Sequence, residues 1–260
     1  MAELNGRPVS PEALAALALT NYGHFTTLRV EDRRARGLAL HLDRLVRDCR
    51  TVFAAELDPE RVRALLRRAV GAAAGPLVAR VTVFDPALEV GQPGATGAEP
   101  AVLVTIRPAP ALPLPPLRVR SVPYAREFPA VKHVGLFGLL AHRAAAQRAG
   151  YDDALFTDGR GCVSEGGTWN AAFHDGERLV WPDAECLPGV TMALLRQVWD
   201  TSGTAAVPLA EVAGYRAAFA TNAAVGVRAI ASVDGVALAV DDPVTGLLRA
   251  AYAEIPADPL

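Results

Sequence analysis

Val131-Lys132-His133 contains the only lysine in 260 residues; the other 25 of the 26 basic residues are arginine. Arginine serves as the solvated cation even in Glu31-Asp32-Arg33-Arg34-Ala35-Arg36, where lysine would do as well. Arginine stays protonated in proteins, whereas a lysine amine can be desolvated, lose its proton and attack a carbonyl. An arginine-rich composition by itself reflects codon usage, and one stray surface lysine would carry no meaning. What stands around Lys132 in the chain decides between a surface charge and a reactive amine.

The chain is long enough for one large domain or two modest ones, each with its own core. With 51% hydrophobic and 21% charged residues it reads as a soluble globular protein, and a net charge of −2 argues against nucleic acid as a partner. Cys49, Cys162 and Cys186 stand far apart without CxxC spacing, which fits a reducing compartment and neither a disulfide framework nor a zinc ribbon. The opening Met1-Ala2-Glu3-Leu4-Asn5-Gly6-Arg7 does not read as a signal peptide, and no apolar run reaches the length of a membrane span. A cytoplasmic protein with no membrane partner is expected. No Walker loop, dinucleotide fingerprint, nucleophile elbow or HExxH is present, and the five histidines lack metal-ligand spacing, so no metal is expected.

A proline-rich stretch over 108–116 separates two halves. The expected organisation is a small α/β domain over 1–107, a linker over 108–116, and a larger domain over 117–260 that carries Lys132. In the first half the patterns predict strands over 25–30, 38–40, 78–84 and 101–106. Helices are predicted over 41–53 and from the Asp58-Pro59-Glu60 cap to about 73. In the second half strands are expected over 117–122, 154–157, 170–174, 178–181, 217–221 and 227–232. Helices are expected over 131–149, from Pro188-Gly189 to about 199, and after Asp241-Asp242-Pro243. This order is not a regular βαβ alternation, which argues against a doubly wound sheet.

Four elements stand in order: His41-Leu42-Asp43-Arg44-Leu45, Lys132, Val163-Ser164-Glu165-Gly166-Gly167-Thr168-Trp169-Asn170, and Leu187-Pro188-Gly189-Val190-Thr191. Each is weak alone. The ordered set resembles the fold-type IV pyridoxal-phosphate enzymes, the aminotransferase class IV family of branched-chain and D-amino-acid aminotransferases and 4-amino-4-deoxychorismate lyase. The resemblance runs from about residue 21 to 230. It implies an α+β fold of two domains, D-amino-acid aminotransferase-like, with pyridoxal 5′-phosphate between the domains, and a homodimer acting on small amino and keto acids.

The resemblance assigns Lys132 as the Schiff-base lysine and catalytic acid–base, and Glu165 as the carboxylate that keeps the cofactor ring nitrogen protonated. Arg44, Val190 and Thr191 would hold the phosphate. A helix start offers free N–H groups to an anion, and His41 and Arg44 share one helix face. Asn222, in Thr221-Asn222-Ala223-Ala224, matches a last phosphate contact, with Ala223 and Ala224 in the turn that meets the substrate carboxylate. Tyr22, Phe25 and Arg80 align with small-domain residues that face the substrate. Taken alone, Glu165 reads as a loop acid and Arg44 as a surface arginine. Phe25 reads equally as buried core, and Arg80 equally as half of a surface ion pair.

Three positions depart from the family pattern. Phe137 stands where branched-chain enzymes carry a tyrosine, Met192 where an arginine is usual, and Trp169 where relatives have a smaller residue. They count against a branched-chain assignment and leave cofactor binding intact. The expected activity is transamination. The alternatives are the lyase reaction that releases pyruvate from 4-amino-4-deoxychorismate, favoured by Asn222-Ala223 and Lys132-His133, and a non-catalytic protein on the same scaffold.

Overall fold

Leu38, Leu42, Leu45, Cys49 and Phe53 form one buried stripe along a sixteen-residue helix, and that stripe organises the first half of the chain. The computed structural model describes residues 1–71, 73–95 and 97–260. These form two units. The first comprises Met1–Pro110, Val131–Gly135 and Ala257–Leu260, the second Ala111–Ala130 and Leu136–Pro256.

In the first unit the elements are β1 (Ala2–Leu4), β2 (Arg7–Pro8), α1 (Pro11–Thr20), β3 (His24–Val30), β4 (Arg34–Arg36), α2 (Leu38–Phe53), α3 (Pro59–Val70), β5 (Leu77–Phe84) and β6 (Ala101–Pro108). Five strands pair antiparallel in the order β2-β1-β6-β5-β3. The α2 stripe and Val62, Leu66 and Val70 of α3 pack on Leu28, Val30, Val81 and Val104 of this sheet. Asp58 caps α3 by accepting the Glu60 N–H, with Pro59 in the first turn. Ala257–Pro259 pairs with β4.

The second unit contains β7 (Leu117–Pro123), α4 (Phe137–Arg148), β8 (Asp153–Thr157), β9 (Val163–Gly166), β10 (Asn170–His174), β11 (Leu179–Pro182), α5 (Val190–Val198), β12 (Ser202–Ala205), a 3-10 turn over Leu209–Gly214, β13 (Ala217–Asn222), β14 (Gly226–Val233), β15 (Val236–Ala237) and α6 (Pro243–Glu254). Its strands run β12-β11-β10-β13-β14-β7-β8-β9, and β9 also pairs with β10. Six strands therefore close into a ring around Leu117, Val119, Leu155, Val163, Trp169, Phe173 and Ile230. The Glu165–Asn170 pair makes the closure.

Most predicted elements stand within one or two residues of the observed ones, and the order is α+β. Three expectations are corrected. Residues 38–40 open α2 instead of forming a strand: the His41 N–H donates to Gly37 O, and Leu38 joins the buried stripe. The helix expected over 131–149 begins only at Phe137, because 132–134 find strand partners on β3. The same pairing places Lys132 in the first unit, and the division falls at Pro110/Ala111, inside the expected linker. Among the described residues no helix is long and apolar enough to cross a membrane.

Candidate active site

Lys132 lies in a short extended segment of the first unit. The Phe25 N–H donates to Lys132 O at 2.8 Å, the Val134 N–H donates to Gly23 O at 2.9 Å, and His24 and His133 form an antiparallel bridge. The Lys132 N–H donates to Asp48 Oδ2 at 3.0 Å. The lysine side chain thus leaves from a peptide fixed at both its donor and its acceptor. Its Nζ is 4.9 Å from the centroid of the Phe25 ring, and the Arg80 guanidinium carbon is 3.7 Å from the same centroid. The negative faces of one ring favour both cations. Arg80 Nε donates to Thr82 Oγ1 at 3.1 Å, and burial holds the Arg80 pKa below the usual arginine value. Phe25 and Arg80 are thus brought to Lys132. Tyr22 is engaged elsewhere, with its hydroxyl on Val52 O and its ring edge-on to Phe53.

Helix α2 carries a buried polar stripe of His41, Arg44 and Asp48 at i, i+3 and i+7. The Arg44 guanidinium donates to the Thr26 hydroxyl. Thr26 Oγ1 also lies 2.7 Å from His41 Nδ1 and shares a hydrogen bond with it. Burial, then Arg44, then Lys132 hold the His41 pKa well below the ordinary histidine value. His24, fully buried, is pushed down to about 4 by burial, against the pull of Asp48 and with help from Arg44. Both histidines are neutral at physiological pH, and Arg44 and Arg80 bring permanent positive charge to this region.

In the second unit Glu165 and Asn170 face each other across the strand pair that closes the ring, and both are buried. Glu165 Oε2 accepts the Leu187 N–H at 3.2 Å, while Asn170 Nδ2 donates to Leu187 O at 2.8 Å. Leu187-Pro188-Gly189 is thereby pinned in front of α5. A side chain at Gly189 would meet Asn170 Oδ1 at 1.9 Å, so only glycine lets this segment approach. Gly189 provides no side-chain cap to α5, and the buried Thr191 hydroxyl has no hydrogen-bond partner among the described residues. Thr221, paired with Asn170, precedes Asn222, whose Oδ1 accepts the N–H groups of Ala224 and Val225 at 3.0 Å each. Asn222 therefore builds the 222–225 turn with its carbonyl oxygen.

The departures from the family pattern also find places. Phe137 is 85% exposed at the start of α4. Met192 packs with Leu195, Phe219 and Val227. Trp169 fills the ring interior and donates its indole N–H to Asp153 Oδ2 at 2.9 Å; Gly166 makes room, since a Cβ there would lie 2.0 Å from the indole. Asp153 also pairs with Arg143, which donates to Thr168. Asp48 and Thr26 carry no motif and were not expected from the sequence. The available signal was Asp48 itself, a carboxylate seven residues after His41 on the buried face of α2.

A family model described as amino-transferase class IV matches residues 23–233. No curated protein matches the chain. Among solved structures, a branched-chain aminotransferase from Thermoproteus uzoniensis with norvaline is 19% identical over 97% of this chain and 93% of that one, with a TM-score of 0.86. The Escherichia coli branched-chain amino acid aminotransferase is 17% identical over 98% and 93%, with a TM-score of 0.85. A hypothetical aminotransferase from Mycobacterium tuberculosis in its PLP-bound form is 20% identical over 97% and 98%, with a TM-score of 0.81. At these identities the likeness establishes the fold.

Proposed function

We propose, from the premise that this chain belongs to the amino-transferase class IV family, that Lys132 is the amine that carries its cofactor and that it moves an amino group between an amino acid or amine and a keto acid. Class IV aminotransferases are pyridoxal-phosphate enzymes. The observation that carries the reading is the setting of Lys132: the one primary side-chain amine of the chain, its peptide fixed by Phe25 and Asp48, beside the aromatic face it shares with Arg80.

The residues fit that cofactor. An uncapped helix start with an unpartnered buried hydroxyl at Thr191 suits a phosphate. Val190 and Thr191 would hold it, Arg44 is assigned to it by the family resemblance, and Asn222 shapes the 222–225 turn. Glu165, a buried carboxylate, would hold the ring nitrogen protonated. When bound, pyridoxal phosphate acts as an electron sink for the substrate carbon that loses its proton. Lys132 takes that proton and returns it, as a positioned amine can when its surroundings keep it free to lose its own. Arg80, partly desolvated and without an ion-pair partner among the described residues, would receive the substrate carboxylate. Ala223 and Ala224 lie in the turn expected to face the same group. A homodimer in the cytoplasm is the setting proposed for this chemistry.

The test is the absorption spectrum of purified protein given pyridoxal phosphate, before and after borohydride, for the wild type and Lys132→Ala. A visible band lost on reduction, with the cofactor fixed to Lys132 by peptide mass, supports the reading; a protein that stays colourless sinks it. Asn222-Ala223 supports a second reading, elimination of pyruvate from 4-amino-4-deoxychorismate. Pyruvate released without an amino acceptor distinguishes it from transamination.

A further inference from the structure

The geometry points to Asp48 as a positioning residue for Lys132: its buried carboxylate ties the amine-bearing segment to the helix that also carries Arg44. In an antiparallel ladder, two hydrogen-bonded residues exchange both of their bonds. Here only one is made with β3, from the Phe25 N–H to Lys132 O, and the Lys132 N–H goes to Asp48 Oδ2 instead. The carboxylate ends the ladder at Lys132 while keeping its donor satisfied, so the chain can turn away without a buried orphan N–H.

Asp48 is 0% exposed, and a carboxylate at that depth must be hydrogen-bonded. Its two oxygens divide the task. Oδ1 takes Arg47 Nε and Nη2 at 3.1 and 2.7 Å, and Oδ2 takes the lysine peptide. Arg44 and Asp48 stand four residues apart on α2, about 6 Å along its axis. One rigid element thus fixes both the arginine and the root of the lysine side chain, a spacing that the order of the motifs leaves open. The meaning for catalysis rests on the reading of Lys132 as the cofactor's amine, while the anchor is a property of the chain by itself.

The test uses the full chain with Asp48→Asn, which keeps an acceptor oxygen, and Asp48→Leu, which does not. Amide hydrogen exchange at Lys132, read per residue without cofactor, should rise about tenfold or more in Asp48→Leu. It should stay within about threefold of wild type in Asp48→Asn, and exchange at Val134 should not move in either variant. With pyridoxal phosphate and borohydride, the yield of cofactor fixed to Lys132 should fall in Asp48→Leu and recover in Asp48→Asn. Should the leucine variant not fold, Asp48→Ser, too short to reach the peptide, replaces it. Unchanged exchange at Lys132 in a folded Leu or Ser variant overturns the proposal. So does an Asn variant that loses protection as fully as they do. If the wild type takes up no pyridoxal phosphate, the functional reading fails and the exchange data still decide the anchor.

Discussion

The guanidinium carbon of Arg80 stands over the Phe25 ring, 3.7 Å from its centroid, while its Nε is held by Thr82. Among the described residues its contacts are the ring and a single hydroxyl at Nε, which leaves the terminal nitrogens for a planar anion such as a carboxylate. Arg80→Gln should therefore raise KM for amino-acid substrates about ten- to a hundredfold. Amines without a carboxylate should be converted at the wild-type rate. Steady-state kinetics on both substrate classes check this, and equal losses on both would remove Arg80 from substrate binding.

Thr191→Val deletes a hydroxyl that has no hydrogen-bond partner among the described residues. Its cost to stability should be under about 1 kcal/mol, since no internal hydrogen bond is broken. Affinity for pyridoxal phosphate should fall about tenfold, and affinity for pyridoxal, which lacks the phosphate, should not change. Absorbance titrations with the two ligands measure the ratio directly.

Glu165→Gln keeps the shape of the side chain and an acceptor for the Leu187 N–H but removes the charge. Folding should survive, while turnover with bound cofactor should drop on the order of a hundredfold, the scale for losing one preorganised charge at a reacting centre. A glutamine variant with wild-type turnover would show that Glu165 does not serve the ring nitrogen.

His24 gives the fold an acid limit. Its folded pKa is held down to about 4 from an ordinary value of 6.5, so between those values the unfolded chain binds a proton that the fold refuses. Stability from this group is intact above pH 6.5 and is lost as pH falls toward 4, by about 3 kcal/mol in full. His41, shifted the same way, adds to the slope. Neither ring nitrogen of His24 has a hydrogen-bond partner among the described residues. His24→Leu should then be nearly neutral at pH 7 and more stable than wild type near pH 5. Urea melts at pH 7, 6 and 5 test this, and parallel losses in both proteins would refute it.

What the chain discloses in advance is local. The α2 stripe, the Asp58-Pro59 and Asp242-Pro243 caps and the helix start after Pro188-Gly189 depend on neighbours within a few residues, and all are present. The segment over 131–135 misleads because its hydrogen-bond partners, Gly23 and Phe25, lie more than a hundred residues earlier, and they override its helical spacing. The ordered motifs identify Arg44, Lys132, Glu165 and Thr191 as candidates. They cannot show that Asp48 reaches the lysine peptide, that Thr26 bridges Arg44 and His41, or that Asn222 spends its oxygen on its own turn. Those facts depend on tertiary approach, for which no local pattern exists.

The strand Ala257–Pro259 on β4 has a consequence for the order in which the protein can be made. Leu260 is buried in the core with Leu42, Leu66 and Val70, its carbonyl takes Arg67 Nε at 2.6 Å, and Arg63 reaches Pro259 O. A ribosome delivers residues 1–110 first, yet their core stays open until 257–260 have left the exit tunnel. The nascent chain must therefore keep the apolar faces of α2 and α3 from other partners until residues 257–260 arrive, and that short strand acts as the latch.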